Sequence, residues 1–358
     1  MPSQADWIAG LSPWPEEFGL RRIRALLAQL GEPQRKYPAI HVVGTNGKST
    51  ATRRAAALLA REGLSVGAYT SPHVRGWSER IHVDGEDADF EAAVERVRAA
   101  AERTGATQFE ALTAAALAEF AAAQVDVAVV EAGLGGRLDA TNVLSARVVA
   151  LTNVSLEHTD VLGETRPEIA REKLAVVGAG ATVVLGEAEW EPIARELGAA
   201  DVVFADDVGR VAAERFLGRT LGGDVEVDLP GRLDLAGEDV YAGAHNPAGV
   251  EWLVRRLPRD DYVVCAAILA DKDARAMLAG LATRGSRFVA TETETERTLA
   301  ADELARLARE FFPAVESVAD ATAALERARK LAGPNGAVLV TGSLYLLRDL
   351  FGRLETVR

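Results

Sequence analysis

Hydrophobic positions along this chain follow two periods. Continuous apolar runs, "AIHVVG" from Ala39, "SVGAYT" from Ser65, "VDVAVVEAG" from Val125 and "ARVVALTNV" from Ala146, have the length and β-branched content of strands buried on both faces. Between them, "GLRRIRALLAQLG", "STATRRAAALLAREG", "FEAAVERVRAAAER" and "ALTAAALAEFAAA" repeat their apolar residues every three or four positions, as helices do. The alternation resumes later. "DYVVCAAIL", "SRFVAT" and "GAVLVTG" read as strands, and "PAGVEWLVRRL", "DARAMLAGLATRG", "ADELARLAREFF" and "ATAALERARKLAG" as helices. Strands alternating with helices predict an α/β fold of parallel sheets with helices on both faces. Residues 178–223 are less regular, and "GRTLGGDVEVDLPGRLDLAG" follows, rich in Gly and Asp. The domain boundary is placed there, giving domains 1–229 and 230–358 with Pro230, Gly231 and Arg232 as the hinge. Neither repeats nor low-complexity tracts interrupt the pattern.

A length of 358 residues suits two domains better than one core. The formal net charge of −13 argues against nucleic acid or an anionic membrane as partner, since both need a positive field. It leaves room for a small anionic substrate in a locally basic cleft. The single cysteine, Cys265, sits in the apolar run "YVVCAAILA", reads as core and fits a reducing cytoplasm. The start, "MPSQADWIAGLSPWPEEF", has neither the basic nor the apolar region of a signal peptide, and no apolar run is long enough to cross a bilayer.

The chemistry concentrates after the first strand. In "GTNGKST", Gly44 and Gly47 let the backbone turn so that successive N–H groups face one anion, and the following helix adds positive charge. Lys48 can reach outer phosphates, and Ser49 or Thr50 can bind Mg²⁺. Glu131, His158 and Ser71 each lie just past the C-terminal end of a predicted strand, the edge where open α/β sheets bind ligands. A carboxylate, an imidazole and a hydroxyl can hold Mg²⁺ beside a nucleotide. Each also has a structural reading. His158 can be a loop histidine bonded to Glu157 or Asp160, and Ser71 before Pro72 can be turn chemistry. Glu131, at the end of an apolar run, needs a partner if buried. Spacing alone makes Lys173, beside Glu172 on a helix, a solvated surface lysine.

Taken in order, the motifs "GLRRIRALLAQLG", "HVVGTNGKST", "TSPHV", "ERIHVDG", "TQFEALTAAAL", "VVEAGLGGRLDATN", "LEHTDVLGETRPEIAREK", "PGRLDL", "AHNPAG", "ILADKD" and "TGSLYLL" resemble the folylpolyglutamate synthase/dihydrofolate synthase branch of the Mur ligases. The resemblance implies an N-terminal P-loop ATPase domain and a smaller Rossmann-like C-terminal domain, in a cytoplasmic monomer. It implies a ligase that uses ATP and Mg²⁺ to phosphorylate the carboxylate of dihydropteroate or a folate, then forms an amide with L-glutamate. By motif, Thr45, Asn46, Gly47 and Lys48, with Ser49 or Thr50, hold ATP, joined by Arg232. Ser71, Glu131 and His158 bind the metal. Lys173 matches a lysine that the family carbamylates, which reverses the surface reading and makes it a further metal ligand. Thr107, Phe109, Arg137 and Asp139 face the pterin-bearing substrate. His245 lies in a segment tied to ATP and amino-acid handling, catalytic with Lys48 and Lys173. Arg75, Arg80 and Arg137 could form a track for a polyglutamate tail, and read equally well as solvated surface.

The chain departs from the family pattern in four places. Lys48 runs directly into Ser49 without an intervening glycine, position 242 is Ala where Asp is usual, a helical stretch before Pro230 is absent, and "ATETETERTLAADEL" lacks a proline. Two further readings follow from these losses: an ATP-binding paralogue with another acid substrate, or an interaction protein without catalysis. In the paralogue reading Ala242→Asp raises activity, and in an active ligase it changes little.

Overall fold

The computed structural model describes residues 3–355, excepting the side chains of 352–355. They form two compact α/β units. The first comprises the chain up to Pro72 together with Trp77–Asp228; the second takes in the chain from Leu229 onward and also the short stretch His73–Gly76.

The strands of the first unit are β1 (Ala39–Val43), β2 (Val66–Tyr69), β3 (Ile81–Val83), β4 (Glu86–Asp87), β5 (Val127–Glu131), β6 (Ala146–Leu151), β7 (Thr182–Leu185) and β8 (Asp201–Phe204). Its helices are α1 (Gln4–Ala9), α2 (Arg21–Gln29), α3 (Lys48–Arg61), α4 (Phe90–Thr104), α5 (Gln108–Ala122), α6 (Thr159–Leu162), α7 (Arg166–Leu174), α8 (Glu191–Glu196) and α9 (Val208–Leu217). The sheet order is β4-β3-β2-β5-β1-β6-β7-β8. The strands from β2 to β8 in that order run parallel; β3 and β4 form an antiparallel edge. Alternate residues feed opposite faces. Ile40, Val42, Val127 and Val129 pack under α3 and α9, whereas Ala128, Val130 and Tyr69 pack under α2, α4 and α5. Val43, Val149 and Leu151 meet α7 and α8 on that second face. Burying each valine, leucine or isoleucine among them contributes roughly 1.5–3 kcal/mol.

Residues 178–223, expected to be irregular, instead hold two further strand–helix pairs, β7–α8 and β8–α9. Both strands are only four residues long, too short to carry a period. The connection after α9 is held by arginines. Arg54 and Arg61 of α3 and Arg210 of α9 donate to carbonyls of Leu221, Gly222, Gly223, Asp224 and Val225, and Arg54 also pairs with Asp207 and Asp224.

The second unit contains β9 (Arg232–Ala236), β10 (Asp239–Ala242), β11 (Val263–Ala266), β12 (Arg287–Ala290), β13 (Ala314–Ser317) and β14 (Val338–Thr341), in the order β13-β12-β11-β14-β10-β9. Its helices are α10 (Pro247–Val254), α11 (Ala274–Leu281), α12 (Ala301–Ala308), α13 (Ala321–Ala332) and α14 (Leu344–Glu355). Only β9 runs antiparallel to its neighbour. Cys265 is buried, as its apolar run predicts.

Candidate functional site

β1 ends at Val43, and the chain then turns through the glycine loop into α3. At Gly44 φ is +146° and a Cβ would overlap the Thr152 hydroxyl, so only glycine fits. At Gly47 φ is +79° and the surrounding space is open. Gly47 has no side chain to cap α3, and the helix's first turn carries no acid. The amide groups and positive dipole end of α3 are therefore not offset by a cap or an acid of their own.

The loop is anchored to the segment after β6. Thr45 N donates to Asn153 O (2.9 Å). Asn46 N donates to Asn153 Oδ1 and Asn153 Nδ2 to Asn46 O, both at 3.0 Å. Thr152 Oγ1 donates to Asn46 O (2.7 Å), and Ser155 N to Thr45 Oγ1 (3.1 Å). The N–H groups of Thr45 and Asn46 are thus engaged internally, which leaves an anion to the amides from Gly47 onward. Lys48 Nζ rests on Thr45 O at 3.2 Å. Ser49 is buried and Thr50 exposed. Sequence reasoning passed over Thr152 and Asn153; the polar pair closing "ARVVALTNV" at a strand's C-terminal end was the signal.

Glu131 ends β5 and is 2% exposed. Its Oε2 accepts from the backbone N of Ser71, the residue just past β2, at 3.1 Å. His158 follows β6 and takes the cap position of α6 with φ of +46°.

Lys173 overturns the surface reading. Ile169, Ala170, Lys173 and Leu174 form the buried stripe of α7, and the lysine is 2% exposed. Its ammonium donates to Gly44 O (2.9 Å) and to Glu157 Oε1 (3.0 Å). Burial lowers the pKa of Lys173, against the opposing pull of Glu157. Burial alone would raise Glu157, but the charges of Lys173 and Lys48, with His158 adding, outweigh it and bring the carboxyl to about 2. The phosphate loop, Lys48, Lys173 and Glu157 therefore form one electrostatic cluster. Glu157 was read only as a partner for His158.

The residues expected to face a pterin lie in the same unit. Thr107 caps α5, its hydroxyl engaged with Glu110, which Arg22 pairs at 3.0 Å. The Phe109 ring lies 6.1 Å from Tyr69 and leans on Gly133, where a Cβ would meet it. Arg137 is exposed and donates from Nε to Glu172 at 2.8 Å. Asp139 is buried and accepts from the backbone N of Leu134 and of Thr141, so its carboxylate closes the loop that carries Arg137.

Arg232 and His245 belong to the second unit. Arg232 opens β9, half-buried. His245 Nδ1 donates to Gly243 O (2.9 Å) beside Asn246, which caps α10. Ala242 is 4% exposed and packs in that unit's core with Val240, Val250 and Leu253. A carboxylate there would enter this aliphatic core, with Arg232 as its cross-strand neighbour on β9.

The Mur ligase middle domain matches residues 42–183, and the Mur ligase glutamate ligase domain matches residues 231–344. The dihydrofolate synthase/folylpolyglutamate synthase of Escherichia coli is 30% identical, across 100% of this chain and 96% of that protein. The chain belongs to the folylpolyglutamate synthase/dihydrofolate synthase family of Mur ligases. The structure of E. coli FolC in complex with DHPP and ADP superposes with a TM-score of 0.87 at 27% identity, covering 100% of this chain and 99% of that one. A bifunctional folylpolyglutamate synthase/dihydrofolate synthase with Mn, AMPPNP and L-glutamate bound gives 0.86 at 27% identity, covering 99% and 98%. The chain spans about half the length of the probable bifunctional folylpolyglutamate synthase/dihydropteroate synthases of Haloferax volcanii and Halobacterium salinarum, at 48% and 50% of those proteins. Among the described residues no helix is long and apolar enough to cross a membrane, and no three His, Cys, Asp or Glu side chains are gathered as a metal cluster. The expected metal set contains only two residues of those types, Glu131 and His158.

Proposed function

We propose that this protein is an ATP-dependent ligase that joins L-glutamate to a pterin-bearing acid, dihydropteroate or a folate. The observation that carries the reading is the burial of Lys173, its ammonium on the carbonyl of Gly44 and on the Glu157 carboxylate, at the foot of a glycine loop that opens an uncapped helix. A buried lysine tied to the phosphate loop has no use in a plain scaffold, where an aliphatic residue would serve better. The family's solved members with ADP, DHPP or L-glutamate support the same substrates.

The amides from Gly47 onward and the ammonium of Lys48 hold the ATP phosphates. The acceptor carboxylate takes the terminal phosphoryl group, ADP leaves, and the glutamate amine attacks the acyl carbon to expel phosphate and form the amide. Holding three substrates in line accounts for most of the acceleration. Phe109, Arg137 and Asp139 orient the acceptor, Thr107 shapes the start of α5 beside it, and His245 handles ATP or the amino acid.

The donor set of Ser71, Glu131 and His158 fits Mg²⁺, because Glu131 brings a buried anionic oxygen to the strand edge that faces the phosphate loop. Bound there, the ion would neutralise charge building on the phosphates. Lys173 is the place for carbamylation: CO₂ reacts with the neutral amine, and burial moves the group toward that form. The protein acts as a cytoplasmic monomer in this reading.

The test is ADP release by the purified protein with Mg²⁺-ATP and L-glutamate, with dihydropteroate and tetrahydrofolate offered in parallel. Turnover that requires either acceptor is expected and identifies the step. ATP binding without acceptor-dependent turnover overturns the reading in favour of a paralogue with another acid.

A further inference from the structure

The middle of β1 carries one residue that does not belong in an apolar strand. Ile40, Val42 and Val43 are aliphatic, yet His41 between them is 1% exposed. Its Nε2 lies 2.8 Å from Thr141 Oγ1. The Thr141 hydroxyl in turn donates to Asp139 Oδ1. Because that proton goes to Asp139, the threonine oxygen accepts from His41, which fixes the imidazole as the Nε2–H tautomer. Thr141 is fully buried and Asp139 is 6% exposed, so the three form a buried polar chain from the central strand to the carboxylate.

That carboxylate shapes one loop. Asp139 Oδ2 accepts from Leu134 N (2.8 Å) and Oδ1 from Thr141 N (2.9 Å), which closes residues 134–141 into a ring. The far side of the ring is pressed onto α7. A Cβ at Gly136 would strike the carbonyls of Glu172 and Lys173, and Arg137 N donates to Glu172 O at 3.0 Å. The ring thus spans from β1, three residues before Gly44, to the helix of Lys173. Burying an imidazole is unfavourable unless it is hydrogen-bonded, and a valine would serve the sheet better. The bond to Thr141 offsets that cost.

We propose that His41 and Thr141 are positioning residues for the acceptor: they hold Asp139, and through it the 134–141 ring with Arg137, in the form that receives the pterin-bearing acid. This rests on the function proposed above. It adds two residues that touch no substrate and act only through Asp139.

The experiment measures KM for ATP and for the acceptor, and acceptor affinity by fluorescence quenching, in Thr141→Val, Thr141→Ser and wild type. Loss of one bond to a charged group predicts an acceptor KM and Kd about tenfold higher in Thr141→Val, with KM for ATP held within about twofold. Thr141→Ser, which keeps the hydroxyl, returns both near wild type. Where Thr141→Val fails to fold, His41→Leu removes only the donor to Thr141 and is expected to raise acceptor KM by a smaller factor. Unchanged acceptor KM in the folded variants, or an equal rise for ATP, overturns the proposal while leaving the ligase reading intact. Absence of acceptor-dependent turnover in the wild type overturns both.

Discussion

The Nζ of Lys173 lies 2.9 Å from the carbonyl oxygen of Gly44, so the first residue of the phosphate loop is held from below by a buried lysine on α7. Gly44 cannot change its side chain and Lys173 cannot leave without stranding Glu157. The loop geometry and the buried ion pair are therefore parts of one arrangement, and stability and activity should separate when it is disturbed.

Lys173→Met leaves the Glu157 carboxylate, 9% exposed, without its partner. Breaking a buried pair in this way is expected to cost about 3–5 kcal/mol and to abolish turnover. Adding Glu157→Leu to Lys173→Met replaces the pair by apolar groups and should recover most of the stability but none of the turnover. Denaturant unfolding with ADP-release assays checks both halves. Equal recovery of activity would show that the lysine's role is only structural.

The two loop glycines should fail differently. Gly44→Ala meets both φ of +146° and overlap with Thr152, and is expected to cost at least about 2 kcal/mol of stability. Gly47→Ala has no atom within 4 Å, so its cost is the left-handed backbone alone, about 1 kcal/mol. Its methyl group would project into the open space where the phosphates are proposed to sit. Its main effect is therefore expected on ATP affinity, read by calorimetry alongside the melting temperature.

The loop and Glu131 were legible because strand, glycines and helix stand next to one another, and because a carboxylate ends an apolar run. Lys173 was misread from charge, although Ile169, Ala170 and Leu174 place it on the buried stripe of α7. Periodicity outweighs residue type there. His41 was hidden differently: the run "AIHVVG" reads as a strand whatever its third residue does, and its partner Thr141 lies 100 positions away. Residues 178–223 looked irregular because four-residue strands carry almost no period. Connections of this kind depend on tertiary pairing, which local pattern cannot supply.

Ala242→Asp is expected to raise activity in a weakly active paralogue and to change little in an active ligase, and the burial of the position adds a cost in stability. Position 242 sits at the end of β10 within the aliphatic core of the second unit. A carboxylate there is expected to lower stability by about 1–3 kcal/mol or more, with no gain in turnover. Thermal unfolding and the ADP-release assay on the variant decide it. Raised activity at unchanged melting temperature would show that the position faces the site.

Acid sensitivity should report on His41. Burial brings its imidazole from 6.5 to about 4, so the folded chain holds it neutral where the unfolded chain protonates it. The unfolded state then binds more protons between those values, and stability falls as pH drops from about 6.5 to about 4, by at most about 3 kcal/mol from this group. Above 6.5 the contribution is fully present. His82, lowered by burial and by Arg53, acts with the same sign, whereas the window of Glu157, at about 2, lies at lower pH. Replacing His41 by Gln keeps an N–H for Thr141 and removes the titration. Urea unfolding of wild type and His41→Gln at roughly pH 7.5 and 5 should therefore give a smaller acid-induced loss in the variant. Equal losses in both would show that the imidazole takes up its proton within the folded chain.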